Sequence, residues 1–197
     1  MKRYGCMLDI EENFIDRILD QTAKDFGGIR FLEIGVFGGE TVRGIANWGK
    51  EQGIPVDAAG VDWPDYKPNP APDCPYTFYD GDSMDAWRRI TFAFNFLFID
   101  GCHCVNHAMC DFLNYSQFLD VGGYCLFHDT SAPAGKQTQD AFPQNHSYAG
   151  QPPSVLGVRE ALMKLGLIQE YRSDWTMVEE LTIDTGIGGM CLFKKLT

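Results

Sequence analysis

Three aspartates in this sequence each close a short apolar run: Asp62 after a run ending in Val61, Asp100 after Phe96-Leu97-Phe98-Ile99, and Asp129 after Leu126-Phe127-His128. A fourth carboxylate, Glu33, lies inside such a run, and Asp82-Ser83 follows Asp80-Gly81. Acidic groups at the carboxyl ends of parallel strands converge on one sheet edge, where open α/β folds keep their ligands. Short carboxylates suit oxygen-loving divalent cations, so Asp100 and Asp129 are expected to hold one, with magnesium the natural choice. His103, three residues beyond Asp100, titrates near neutral pH and is expected to be the general base. A neutral ring suffices there, because a nearby cation would acidify the group it deprotonates. His128 is a further ligand or a neighbour, and His128 and His146 are the next candidates for the base. The plain alternatives stay open: Asp62 opening a turn, Ser83 serving only as a helix cap, Asp129 capping a turn before Thr130 and Ser131.

These residues need a scaffold, and the stretch from Arg30 to Asn47 supplies its pivot. Phe31-Leu32-Glu33-Ile34 is too short for a helix and suits a buried parallel strand. Gly35, Gly38 and Gly39 form a tight turn, and Thr41 onward reads as a helix, the arrangement in which a backbone can approach a nucleotide closely. Glu33 occupies the place of the first glycine in a dinucleotide fingerprint, and a carboxylate there disfavours a pyrophosphate. A cationic ligand without phosphate is favoured; S-adenosylmethionine, with its sulfonium and ammonium groups, is one. Asp62 can take the two hydroxyls of a ribose, and an acidic or hydroxyl side chain at 82–83 an adenine amino group.

The remaining elements follow from periodicity. Helices are expected over residues 10–26, from Thr41 to about Trp48-Gly49, and over 84–90 with Ser83 as N-cap, 105–119 and 155–165. Strands are expected over 56–61, 76–79, 95–99, 124–127, 175–181 and 190–193, with Val121-Gly122-Gly123 as a turn and the last two strands antiparallel through Asp184-Thr185-Gly186. Residues 64–75 carry five prolines and read as a surface loop. Residues 131–153 are long and polar enough for an active-site flap.

At 197 residues one core and one domain, residues 1–197, are the economical reading. The net charge of −11 argues against nucleic acid and anionic membrane as partners, and leaves a small molecule. There is no stretch of transmembrane length or signal-peptide core, so a cytoplasmic location is expected. Seven cysteines, an odd number, fit reduced thiols. The cluster Cys102-His103-Cys104, His107, Cys110 invites zinc, but it lacks paired C-x-x-C knuckles, and Cys104, His107 and Cys110 step by three along an expected helix and drift off any one face. Zinc is therefore not expected. Oligomeric state is left open.

Taken in order, Glu33-Ile34-Gly35-Val36-Phe37-Gly38-Gly39, Asp62, Gly81-Asp82-Ser83, Phe98-Ile99-Asp100-Gly101-Cys102-His103 and Gly122-Gly123-Tyr124-Cys125-Leu126-Phe127-His128-Asp129 resemble class I S-adenosylmethionine-dependent methyltransferases. The likeness is closest to the small metal-dependent O-methyltransferases of the catechol and macrocin type. The resemblance implies a Rossmann-like α/β fold: a mostly parallel seven-stranded sheet, helices on both faces and an antiparallel C-terminal strand. It implies a cofactor set of Glu33, Gly35, Gly38, Gly39, Thr41, Asp62, Asp82, Ser83 and Asp100, a divalent cation on Asp100 and Asp129, and catalysis by His103. The chain departs from the catechol enzymes at Thr130, where they place an asparagine ligand, and at His103, where they carry a lysine; histidine matches the macrocin-like branch. The reading is O-methylation of a small acceptor. Other chemistry on the same fold, hydroxylase-like, or a non-catalytic cofactor-binding module are the alternatives.

Overall fold

The computed structural model describes residues 3–5, 7–131, 157–169, 172–183 and 188–197. The elements run α1 (Asp9–Phe26), β1 (Ile29–Ile34), α2 (Glu40–Gln52), β2 (Val56–Asp62), β3 (Tyr76–Asp80), α3 (Ser83–Ala86), β4 (Phe94–Ile99), α4 (Val105–Tyr115), β5 (Leu119–His128), α5 (Val158–Lys164), β6 (Trp175–Leu181) and β7 (Met190–Lys195). The seven strands form one sheet in the order β3-β2-β1-β4-β5-β7-β6. The first five are mutually parallel, while β7 runs antiparallel to both β5 and β6.

Alternation along each strand feeds two apolar layers. Phe31, Phe96, Phe98 and Leu126 pack with Phe14, Ile15, Ile18 and Leu19 of α1 and Val42, Ile45 and Trp48 of α2. Leu32, Ile34, Leu97, Ile99 and Phe127 pack with Phe112 and Tyr115 of α4 and Leu162 of α5. Strand β4 is buried throughout, which is why its sequence is nearly all apolar. Its one polar residue, Asn95, accepts from Arg30 N at 2.8 Å and donates to Gly28 O at 2.9 Å, so burial leaves neither half of the amide unpaired.

Four expectations need correction. Helix α2 continues through Gly49, whose hydrogen faces β2; a Cβ there would lie 2.3 Å from Val56 Cγ2, so this glycine permits close packing and does not stop the helix. Helix α4 ends at Tyr115, and a short 3₁₀ turn covers the next three residues. Strand β5 starts at Leu119, with Val121-Gly122-Gly123 inside it beside an irregular register against β4. Asp82, not Ser83, caps α3, its Oδ1 accepting from Met84 N at 2.9 Å. The expected flap, apart from Ser131, and the 184–186 turn lie outside the described residues, as do His146 and the first residues of the expected last helix.

From β1 the chain winds out to β2 and β3, then returns to place β4 on the other side, so the strand order reverses between β1 and β4. At that point the strands nearly touch. Gly35 has φ +88°, and a Cβ on it would lie 2.2 Å from the Asp100 carbonyl oxygen. Gly35→Ala should therefore cost about 2 kcal/mol or more beyond the 1–2 kcal/mol set by handedness alone. The control is Gly53→Ala, where φ is +68° and nothing lies within 4 Å. Urea unfolding of both variants checks this, and equal losses would contradict it.

Candidate functional site

The parallel register sets one line across the sheet: Tyr79, Val61, Ile34, Ile99 and Phe127 are successive partners. The next residue on each strand is Asp80, Asp62, Gly35, Asp100 and His128, so the expected carboxylates do share one edge. Gly35 N donates to Val61 O at 3.0 Å and Asp100 N to Ile34 O at 2.9 Å, which fixes the turn over the reversal point. Gly39 caps α2 at φ +77°, with Pro68 so close that a Cβ would lie 2.6 Å from its ring. Arg43 donates to Gly38 O at 2.7 Å and Pro70 O at 3.2 Å, tying the glycine turn to the proline loop.

Beneath this turn, Glu33 is 1% exposed, and its Oε2 has no hydrogen-bond partner. Burial first, and Asp100 second, push its carboxyl well above the usual range, with Thr41 opposing. Asp62 is used locally: Oδ2 accepts from Phe37 N at 2.8 Å and Oδ1 from Trp63 N at 2.7 Å. That holds Phe37 in its left-handed conformation, φ +50°, and each carboxylate oxygen keeps a lone pair for a further donor. Asp82 and Ser83 sit half-buried at the start of α3, and Tyr115 donates its hydroxyl to Ser83 O at 2.9 Å.

The second half of the site alternates in charge. His128 Nδ1 lies 3.1 Å from Asp100 Oδ1, and its Nε2 lies 3.1 Å from Glu11 Oε1. His103 Nε2 lies 3.1 Å from Asp129 Oδ2 and 3.5 Å from Asp100 Oδ1. Asp129 takes a left-handed conformation at φ +55° and accepts from Gly188 N at 2.8 Å. Burial would raise the Asp100 carboxyl, but the two imidazoles pull it well below the usual range. Burial would lower His128, yet Asp100, Asp129 and Glu11 hold its proton and set it well above an ordinary imidazole. His103 is raised for the same reason, by Asp100 and Asp129 against burial. The ring expected to be neutral is thus more basic than a free imidazole, because two carboxylates face it.

Glu11 was not among the expected site residues. It lies in the first turn of α1, 2% exposed, and accepts from Leu8 N at 2.9 Å and Gly189 N at 2.8 Å as well as pairing with His128. The faint signal is a glutamate three residues into a helix, half of a capping box. The N-cap is Leu8, which lacks the hydroxyl that makes the box recognisable. Thr130 is fully buried, and its Oγ1 finds no nitrogen or oxygen partner, only the Cys191 thiol nearby.

No helix among the described residues is long and apolar enough to cross a membrane. The sequence profile of a family described as a methyltransferase domain matches residues 32–130, the span that holds every one of these edge residues except Glu11. No curated protein matches the sequence. Among solved structures, an O-methyltransferase from Bacillus cereus in complex with SAH superposes with TM-score 0.62 at 14% identity, over 96% of this chain and 82% of the other. MycE from the mycinamycin biosynthetic pathway, with Mg and SAH, gives 0.61 at 16%, over 94% of this chain and 49% of that one. The N-methyltransferase NodS from Bradyrhizobium japonicum gives 0.59 at 13%, over 96% and 98%. At these identities the likeness establishes the Rossmann-like fold and leaves the acceptor atom undecided. The profile, spanning half the sequence and centred on the β1–β5 edge, settles membership: the chain belongs to the methyltransferase domain family, as a class I S-adenosylmethionine-dependent methyltransferase.

Proposed function

We propose that the protein methylates a hydroxyl oxygen of a small molecule, with a divalent cation such as magnesium holding the acceptor. One observation carries this reading: Asp100, His103 and Asp129 each offer a ligand atom, and the three atoms lie within 4.8 Å of one another beside the Gly35 turn. The two carboxylates suit a hard cation held by Asp100 and Asp129, which leaves the His103 ring beside it unligated and able to accept a proton. The cation, when bound, would polarise the acceptor hydroxyl and lower its pKa. MycE, solved with Mg, SAH and mycinamycin VI, supports a cation and a small acceptor by likeness of fold.

The cofactor fit rests on Glu33. A buried carboxylate oxygen with no partner is costly alone and forms a strong charge-assisted bond to an ammonium group. Gly35, Gly38 and Gly39 give the backbone its close approach, with Thr41 at the start of α2. Asp62 would take the ribose hydroxyls, and Asp82 with Ser83 the adenine. S-adenosylmethionine supplies the methyl group on its sulfonium. The chain's own work is to hold donor and acceptor in line, and to receive the acceptor's proton at His103 Nε2. Asp100 serves both halves, since it ends β4 at the reversal point and faces both histidines. Selection of the acceptor is assigned to residues 65–74 and 131–153.

Three outcomes are expected. First, Glu33 is more basic in the fold than its ordinary value of 4.5, so its favourable contribution to stability is complete below that pH and is lost as pH rises toward the folded value. Glu33→Gln should therefore be more stable than the parent at neutral pH, with the gap closing below about pH 4, yet should bind S-adenosylmethionine at least about tenfold more weakly. Denaturation at two pH values and calorimetry test both; unchanged affinity would remove Glu33 from the cofactor site. Second, methyl transfer to a panel of small hydroxylated acceptors should stop in EDTA and return with magnesium, and Asp129→Ala should lower it by about a hundredfold or more. Activity that survives both treatments refutes the cation. Third, His103→Ala should keep cofactor affinity while its transfer rate falls about a hundredfold; a rate within a few-fold of the parent would move the base to another group.

A further inference from the structure

The loop that carries His103 holds a second cluster whose chemistry methyl transfer does not use. Cys102, Cys104 and His107 each offer a ligand atom, and the three atoms lie within 4.8 Å of one another. Cys104 Sγ is 2.8 Å from His107 Nδ1. The sequence lacks C-x-x-C knuckles, but the ligands do not step along one helix as their spacing implied. Cys104 is the N-cap of α4, with φ −79° and ψ 149°, so it lies outside the helix and turns back over its first turn toward His107. Cys102, not Cys110, completes the set. Tetrahedral zinc places sulfur and nitrogen ligands about 3.5–3.8 Å apart, so the cluster needs adjustment of less than about 1 Å.

A separate observation points to a cation here. Asp111, one helical turn after His107, is 0% exposed, and neither carboxylate oxygen has a hydrogen-bond partner. Burial raises its carboxyl to about 7, with the Ser83 side chain opposing, and the charge it keeps adds to the larger effect of Cys104 in holding a proton on the His107 ring. A buried carboxylate left without a partner is costly unless a positive charge arrives next to it. Ligating histidines are commonly backed by such a carboxylate.

We propose that Cys102, Cys104 and His107 bind a thiophilic divalent cation of the zinc class, with water in the fourth position and Asp111 as the buried counter-charge behind His107. Binding releases the thiol protons to solvent, leaving two thiolates and a neutral imidazole on the ion. Because side chains alternate along the extended segment, Cys102 and Cys104 face His107 while His103, between them, faces Asp100 and Asp129. The ion would therefore clamp the backbone on both sides of His103 without entering the Asp100–Asp129 site.

Cobalt(II) added to the reduced, metal-free full chain is the test, because thiolate ligation gives a sulfur-to-cobalt charge-transfer band that carboxylate sites do not. One equivalent should produce the band, zinc(II) should abolish it, Asp129→Ala should keep it, and Cys104→Ser should lose it. No band, or an undiminished one in Cys104→Ser, overturns the proposal. The unaltered protein gives an independent check that needs no folded variant. Zinc(II) should slow iodoacetamide modification of Cys102 and Cys104 by about tenfold or more while leaving Cys74 unchanged; equal rates with and without zinc refute the site.

Discussion

Everything at the site depends on how closely two strand ends approach. With Gly35 over the Asp100 carbonyl, the ends of β1 and β4 come together more closely than any side chain would permit. That contact brings the glycine turn and Glu33, on one side, to the Asp100 carboxylate and its histidines, on the other. In the proposed site, the cofactor half built on β1, β2 and β3 and the acceptor half built on β4 and β5 meet at this contact. The proposed transfer between them requires this close approach of the two strand ends.

The electrostatics are arranged around the same point. Glu11, Asp100 and Asp129 alternate with His103 and His128, so each buried charge has an opposite neighbour and the loss of hydration is compensated locally. Glu33 is fully buried with its Oε2 unpaired, and burial, with Thr41 and Arg43 opposing, holds it nearer its protonated form. The site thus contains one paired network and one carboxyl with a single unpaired oxygen.

Much of this was legible in the sequence, for a physical reason. A residue that ends a buried parallel strand is marked twice, by the apolar run before it and by the turn after it. Asp62, Asp100 and Asp129 could therefore be placed on one edge before any coordinates existed. Gly122-Gly123 misled because glycine marks strand irregularities as well as turns, and Gly49 because close packing and helix termination select the same residue. Glu11 was hidden for a different reason. Its partners are 117 and 178 residues away, and no local pattern distinguishes a buried glutamate in a first turn from a solvated one. The Cys102, Cys104 and His107 cluster was missed by one residue's conformation, since a helix assumed to include Cys104 sends its thiol the wrong way.

The reach of Glu11 also sets an order of events during synthesis. Helix α1 precedes in the chain every strand it packs on, and its first strand partner, β1, follows directly. The carboxylate of Glu11 finds one of its donors, the amide of Gly189, only once synthesis has passed residue 189. Until then His128 lacks its anchored partner, and the pair of strands that delivers Gly188 to Asp129 is absent. The residues of the β1–β4 contact and the glycine turn are therefore made long before those that bring Gly188 to Asp129 and Gly189 to Glu11.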